Sequence, residues 1–271
     1  MTKLILKARS LLVAVLGAGI LLTGATTTNA ATTAVSAETQ QSKVKPTIVL
    51  LHGAFADGSS WSGVTSRLQR DGYDVVAPAV PLRGIAADTS YLRGVLATIP
   101  GPKVLVGHSY GGALVSQLGD TAGVKSLVYV AAFIPEAGET LGALNSQFPG
   151  SELDQVLTPI SYPGGVDLAV NPQTAGPVLA ADIPARQAAV FVAAQRPVVA
   201  SAFTEPVGQA APAALPKYAV IPTGDKAIAP AAERFMADRA GAKKVEVQGA
   251  SHLVAVSQSS AVTQVIERAA R

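Results

Sequence analysis

The stretch Lys103-Val104-Leu105-Val106-Gly107-His108-Ser109-Tyr110-Gly111-Gly112 (KVLVGHSYGG, 103–112) decides the fold. Lys103–Val106 is an apolar, partly β-branched run that reads as a buried strand, and Gly111–Leu118 reads as a helix. The turn between them has the pattern G-x-S-x-G. A strand that turns this sharply into a helix forces its serine into strained backbone angles and lifts the hydroxyl above the sheet edge. Side chains at positions 107 and 111 would collide with neighbouring elements, so glycine is required there. The helix that follows directs its N-terminal amides and positive dipole end to the same place. Ser109 is therefore the candidate nucleophile. His108, its chain neighbour, is directed away by the same turn and reads as a packed, hydrogen-bonded histidine.

The same alternation extends outward from this turn. Thr47–Leu51 (TIVLL), Tyr73–Ala77, Val124–Val130, Lys217–Ile221 and Lys244–Val247 read as further strands. Ser60–Arg70, Ala87–Ile99, Pro230–Ala240 and Gln258–Ala270 read as helices, with stops at Asp71-Gly72 and Pro100-Gly101-Pro102. Strands alternating with helices predict an α/β protein with a mostly parallel sheet covered on both faces. From about Pro135 to Pro216 the rhythm gives way to a Pro-, Gly- and Ala-rich segment of low charge. Its two helix candidates are Ser151–Leu157 and Pro184–Ala194, and it reads as an insertion between strands. No internal repeat is present.

A serine hydroxyl needs a base to take its proton. Three histidines occur, His52, His108 and His252. His252, in Gly249-Ala250-Ser251-His252, follows the last strand at the carboxyl edge, the side from which Ser109 emerges. It is the candidate base, with His52 a weaker alternative. The base needs a carboxylate to fix its tautomer. Asp225, in Pro222-Thr223-Gly224-Asp225-Lys226, follows the strand Lys217–Ile221 and completes the chain order Ser, Asp, His. Glu136, after the strand Val124–Val130, is the competing acid. Two amides are expected to face a developing oxyanion. One belongs to Tyr110, the other to the loop His52-Gly53-Ala54-Phe55, with Ala54 first and Phe55 second.

Composition narrows the function classes. The 271 residues contain no cysteine, which removes disulfide frameworks, zinc ribbons and thiol nucleophiles. With three histidines and no H-E-x-x-H pattern a metal cage is not expected, and a serine mechanism implies neither a metal nor an organic cofactor. Residues 1–37 read as a secretory signal peptide with a short leader. Lys3, Lys7 and Arg9 precede an apolar run from Leu11 to Leu22 that is too short to span a bilayer comfortably, and cleavage sites are offered after Ala30 and Ala37. Removing that leader takes three of the 21 basic residues and leaves 18 basic against 18 acidic. The mature chain then has no electrostatic case for nucleic acid or an anionic membrane. A secreted or periplasmic location is expected.

Four pieces, HGAFADGSSW (52–61), GHSYGG (107–112), PTGDKAIAP (222–230) and GASHL (249–253), make the chain from Pro46 to Arg271 resemble the α/β-hydrolase superfamily. The likeness is greatest to the small serine esterases of the plant methyl-salicylate type and the related hydroxynitrile lyases. The resemblance implies an α/β-hydrolase domain over 46–271 with a cap insertion at about 135–216. It places Ala54 at the oxyanion loop, Ser109 as nucleophile, Asp225 as acid and His252 as base. The lyases of the group carry threonine and lysine where this chain has Gly53 and Leu253, so ester hydrolysis is expected over cyanohydrin cleavage. The expected substrate is a small to medium apolar ester bound among Phe55, Phe133 and Leu253. Lyase or carbon–carbon and lactone chemistry, or a non-catalytic binding protein of hydrolase fold, are the alternatives.

Overall fold

The computed structural model describes residues 44–271; the expected leader, 1–37, lies outside them. The first strand, β1 (Thr47–Leu51), is followed by a 3-10 turn at Gly58–Trp61 and helix α1 (Ser62–Arg70). Then come β2 (Val75–Val76), α2 (Ile85–Ala97), β3 (Lys103–Ser109), α3 (Tyr110–Leu118) and β4 (Val124–Ala132). The insertion contributes α4 (Leu141–Ser146), β5 (Leu157–Tyr162), β6 (Gly165–Val170), α5 (Ala175–Leu179), α6 (Ala185–Ala193) and β7 (Val198–Val199). The chain closes with β8 (Lys217–Pro222), α7 (Pro230–Arg239), β9 (Lys243–Val247), α8 (Val254–Ser257) and α9 (Ser259–Ala269).

Six strands form one sheet in the order β2-β1-β3-β4-β8-β9, and every pairing is parallel. Alternation along each strand divides the apolar residues between two layers. Val49, Leu51 and Leu105 pack with α2, α3 and α7, whereas Ile48, Leu50, Val104 and Val106 pack with α1 and α9. This two-sided burial is why β1 and β3 read as unbroken apolar runs. The expected strand Tyr73–Ala77 shrinks to two paired residues at the sheet edge. Strand β3, by contrast, continues three residues past the expected end, up to Ser109.

The insertion carries more structure than the two expected helices. Ser151–Leu157 does not form a helix. A short 3-10 turn at Leu153–Val156 leads into an antiparallel hairpin of β5 and β6, which β7 extends to three strands. Pairing of Tyr162 with Gly165 leaves Pro163-Gly164 as a two-residue turn, and Gly164 has φ +104°, a value that glycine supplies without strain. Pro159 is tolerated because β5 is the edge strand. Insertion residues Leu153, Val170, Val178 and Val192 form a separate apolar cluster that reaches Ala227 and Phe55 of the main body. Among the described residues no helix is long and apolar enough to cross a membrane.

Candidate active site

Ser109 ends β3 at φ 53°, ψ −120°, a backbone position that costs a non-glycine residue about 1–3 kcal/mol. The surrounding packing holds it there. A Cβ on Gly107 would stand 2.4 Å from the Gly111 carbonyl oxygen, and one on Gly111 would stand 2.6 Å from that of Leu51. Both glycines of the motif are thus fixed by backbone approaching backbone. The loop after β1 passes equally close, since a Cβ on Gly53 would meet Ser109 Cβ at 2.8 Å. Phe55 in that loop turns back with φ 60°. Ala54 and Phe55 therefore lie beside the serine, as does the start of α3 at Tyr110, and all four line one cavity.

His252 arrives from the loop between β9 and α8 and is 5% exposed. Its Nδ1–H donates to Asp225 Oδ2 at 2.6 Å. This bond places the proton on Nδ1 and leaves Nε2 as the free base. The other oxygen of Asp225 accepts the amides of Ala227 at 2.7 Å and Ile228 at 3.0 Å. Those bonds are local, an aspartate turning the chain between β8 and α7. His252 and Ser109 line the same cavity, so Ser109, Asp225 and His252 come together at the carboxyl edge of the sheet.

The other two histidines have different tasks. His108 Nε2–H donates to the backbone carbonyl of His252 at 3.0 Å, and its ring tilts against that of His252 at 4.7 Å. Burial, aided by the neighbouring His252, pushes its pKa down to about 3, so it works as a neutral donor. His52 accepts the amide of Val80 at Nε2, 2.9 Å, and donates from Nδ1 to the Gly53 carbonyl, 2.9 Å. Burial lowers its pKa as well. With both ring nitrogens engaged it is not placed as a base. Glu136 is not placed as an acid either: it is largely exposed and pairs with Arg239 at 3.2 Å. Tyr110 turns its hydroxyl away from the serine to donate to Asp88 at 2.8 Å, and burial raises the pKa of both.

Phe55, Phe133 and Leu253 all line the cavity. Among the lining residues missed from sequence, Leu153, Val170, Leu179, Phe191, Val192 and Phe203 come from the insertion and form an apolar wall. They sit in an Ala- and Pro-rich segment whose spacing gives no warning of a shared face; the apolar pair Phe191-Val192 in the expected helix was the sole hint. Among the described residues no lysine or arginine lines the cavity, and Asp57 is its one carboxylate. The enclosed free space is about 40 Å³, room for about three water molecules at ~10–15 Å³ each. The insertion is tied down beside the base, where the Leu253 amide donates to the Leu179 carbonyl at 3.0 Å.

An unprotonated imidazole nitrogen, oriented by a carboxylate and opening on the same cavity as a strained serine, can abstract a proton from that hydroxyl. Comparison with known proteins bears on the fold and the family. A carbendazim hydrolyzing esterase from Nocardioides sp. (strain SG-4G) is 34% identical over 110 residues, 35% of this chain and 46% of the relative. The chain thus spans about half the length of the curated relative. A methylesterase from Arabidopsis superimposes with a TM-score of 0.70 at 15% identity, covering 83% of this chain and 98% of the other. A pyrethroid hydrolase from Sphingobium faniae JZ-2 gives 0.68 at 21% identity, covering 83% and 97%. These two likenesses concern the fold. Residues 48–265 match the model of the Alpha/beta hydrolase family, and the chain belongs to that family.

Proposed function

We propose that the protein is a serine hydrolase that cleaves carboxylic esters of small to medium apolar compounds through an acyl-enzyme. His252 Nε2 takes the Ser109 proton as the oxygen attacks the ester carbonyl. Asp225 holds the imidazole and stabilises the imidazolium that forms. The amides of Ala54 and Tyr110 receive the oxyanion. His252 then protonates the leaving alcohol, and water enters along the same path to release the acid.

The observation that carries this reading is the 2.6 Å bond from His252 Nδ1 to Asp225, made at a cavity that also holds Ser109 at φ 53°. The apolar walls and the absence of lysine or arginine among the described lining residues favour an uncharged substrate. The similar proteins named as esterases and as a pyrethroid hydrolase support an ester as the bond cleaved. With residues 1–37 as a leader, the enzyme works outside the cytoplasm, in the periplasm or the medium.

A fluorophosphonate probe applied to cell fractions tests mechanism and location together. Wild type labels and hydrolyses a panel of short aryl and alkyl esters, while Ser109→Ala does neither, its turnover falling on the order of 10⁴-fold or more. Folded wild type that fails to label rejects the mechanism in favour of a binding protein. Labelling confined to the cytoplasm rejects export.

A further inference from the structure

Behind Asp225 lies a buried acid that the mechanism above does not use. Glu233 stands in the first turn of α7 and is 2% exposed. In sequence it reads as an ordinary acidic residue near a helix start, where it would face water and favour the positive dipole end. Instead it is shut away from water, and the Asp225 carboxylate is the charge that acts on it most strongly. Its Oε1 is buried and meets no donor among the described residues. Two carboxyl groups buried beside one another keep a proton on one of them.

The surroundings decide which one. Asp225 receives three N–H donors, from His252, Ala227 and Ile228, and both of its oxygens serve as acceptors. Glu233 has no ion pair among the described residues. The charged groups facing it are Asp225 from the loop before α7, Arg234 on its own helix and Glu246 on β9. Arg234 is already committed to Glu246, with bonds of 2.7 and 3.0 Å. Burial and the negative Asp225 both raise the Glu233 pKa well above the usual carboxylate range.

We propose that Glu233 is a positioning residue that, as the neutral acid, donates a hydrogen bond to the Asp225 carboxylate and holds it against His252. The proton on Glu233 keeps the site at one negative charge. An ionised Glu233 would place a second negative charge behind the first and hold the imidazolium proton more tightly. The rate consequences rest on the serine-hydrolase reading; the protonation state does not.

The test compares wild type, Glu233→Gln and Glu233→Leu as full mature chains. The pH profile of kcat/KM on an aryl ester is measured beside urea unfolding from pH 4.5 to 7. Glutamine, a neutral donor, keeps the rate within about threefold and the acid limb unmoved. Leucine, without a donor, loses about tenfold or more in kcat with KM little changed. In unfolding, the folded wild type retains a proton that the unfolded chain releases above about pH 4.5. Its unfolding constant therefore rises about tenfold per pH unit relative to that of Glu233→Gln. A glutamine variant with its acid limb shifted down overturns the proposal, as does a leucine variant as fast as wild type. Equal pH slopes in unfolding overturn it without reference to activity. If no variant, wild type included, turns over any ester while the slopes differ as stated, the hydrolase reading fails and the neutral acid stands.

Discussion

All seven residues of β3 in the main body are buried, whereas five of the six residues of β5 in the insertion are exposed. The first strand is covered by helices on both faces and delivers Ser109 at its end. The second lies at the edge of a small sheet, with Ile160 and Tyr162 largely open to water. The main body fixes the reacting groups through backbone that leaves no room for change. The insertion supplies an apolar wall through side chains, which can be exchanged while the sheet stays intact. Phe191 and Phe203 belong to that wall.

Glycines offer the sharpest way to break the contrast. Gly107→Ala puts a methyl group 2.4 Å from a carbonyl oxygen and is expected to cost about 3 kcal/mol or more. Thermal melting checks this through a drop of about 6–12 °C; an unchanged melting temperature would mean that the turn is not rigid. Acid gives the next effect. His108 is neutral when folded, with its pKa depressed to about 3, and takes a proton at about 6.5 when unfolded. Its contribution is complete above pH 6.5 and fades as the pH falls toward 3, at about 1.4 kcal/mol per pH unit. Urea unfolding of His108→Gln should therefore show a shallower acid loss than wild type; parallel curves would place the acid sensitivity elsewhere. The smallest effect belongs to the insertion. Gly176 in α5 has open space around its Cβ position, so Gly176→Ala should stabilise by about 0.5 kcal/mol through helix propensity. A loss of stability on melting would show the insertion to be as tightly fitted as the main body.

The same contrast explains what could be read from the sequence. The parallel strands were legible because burial on both faces leaves runs such as TIVLL and KVLV. Ser109, Asp225 and His252 were legible because each follows a strand at one edge, in an order that the fold imposes. The hairpin β5-β6 was misread at its start, although Pro163-Gly164 between two apolar stretches is a turn signal. Its edge position admits Pro159 and exposed Ile160, which blur the alternation. Glu233 gave no signal, because acids near helix starts are ordinary and only the tertiary fold closes α7 over Asp225. The partners of His52 and His108 were hidden for a similar reason: Val80 and the His252 carbonyl are distant in the chain and carry no chemical signature.

Among the ties that join the insertion to the main body, three lie far apart in sequence. Arg83 pairs with Asp167 at 2.9 Å. Glu205 accepts the first amides of α2 from Ile85 and Ala86, at 2.7 and 2.9 Å. Leu179 receives the amide of Leu253, next to His252. A foreign segment grafted between β4 and β8 to create a new selectivity would have to recreate all three. Omitting the Glu205 tie strands two amides at a helix start, and omitting the Leu179 tie unmoors the residue beside the imidazole, so a transplant chosen for its pocket alone would disturb the placement of His252.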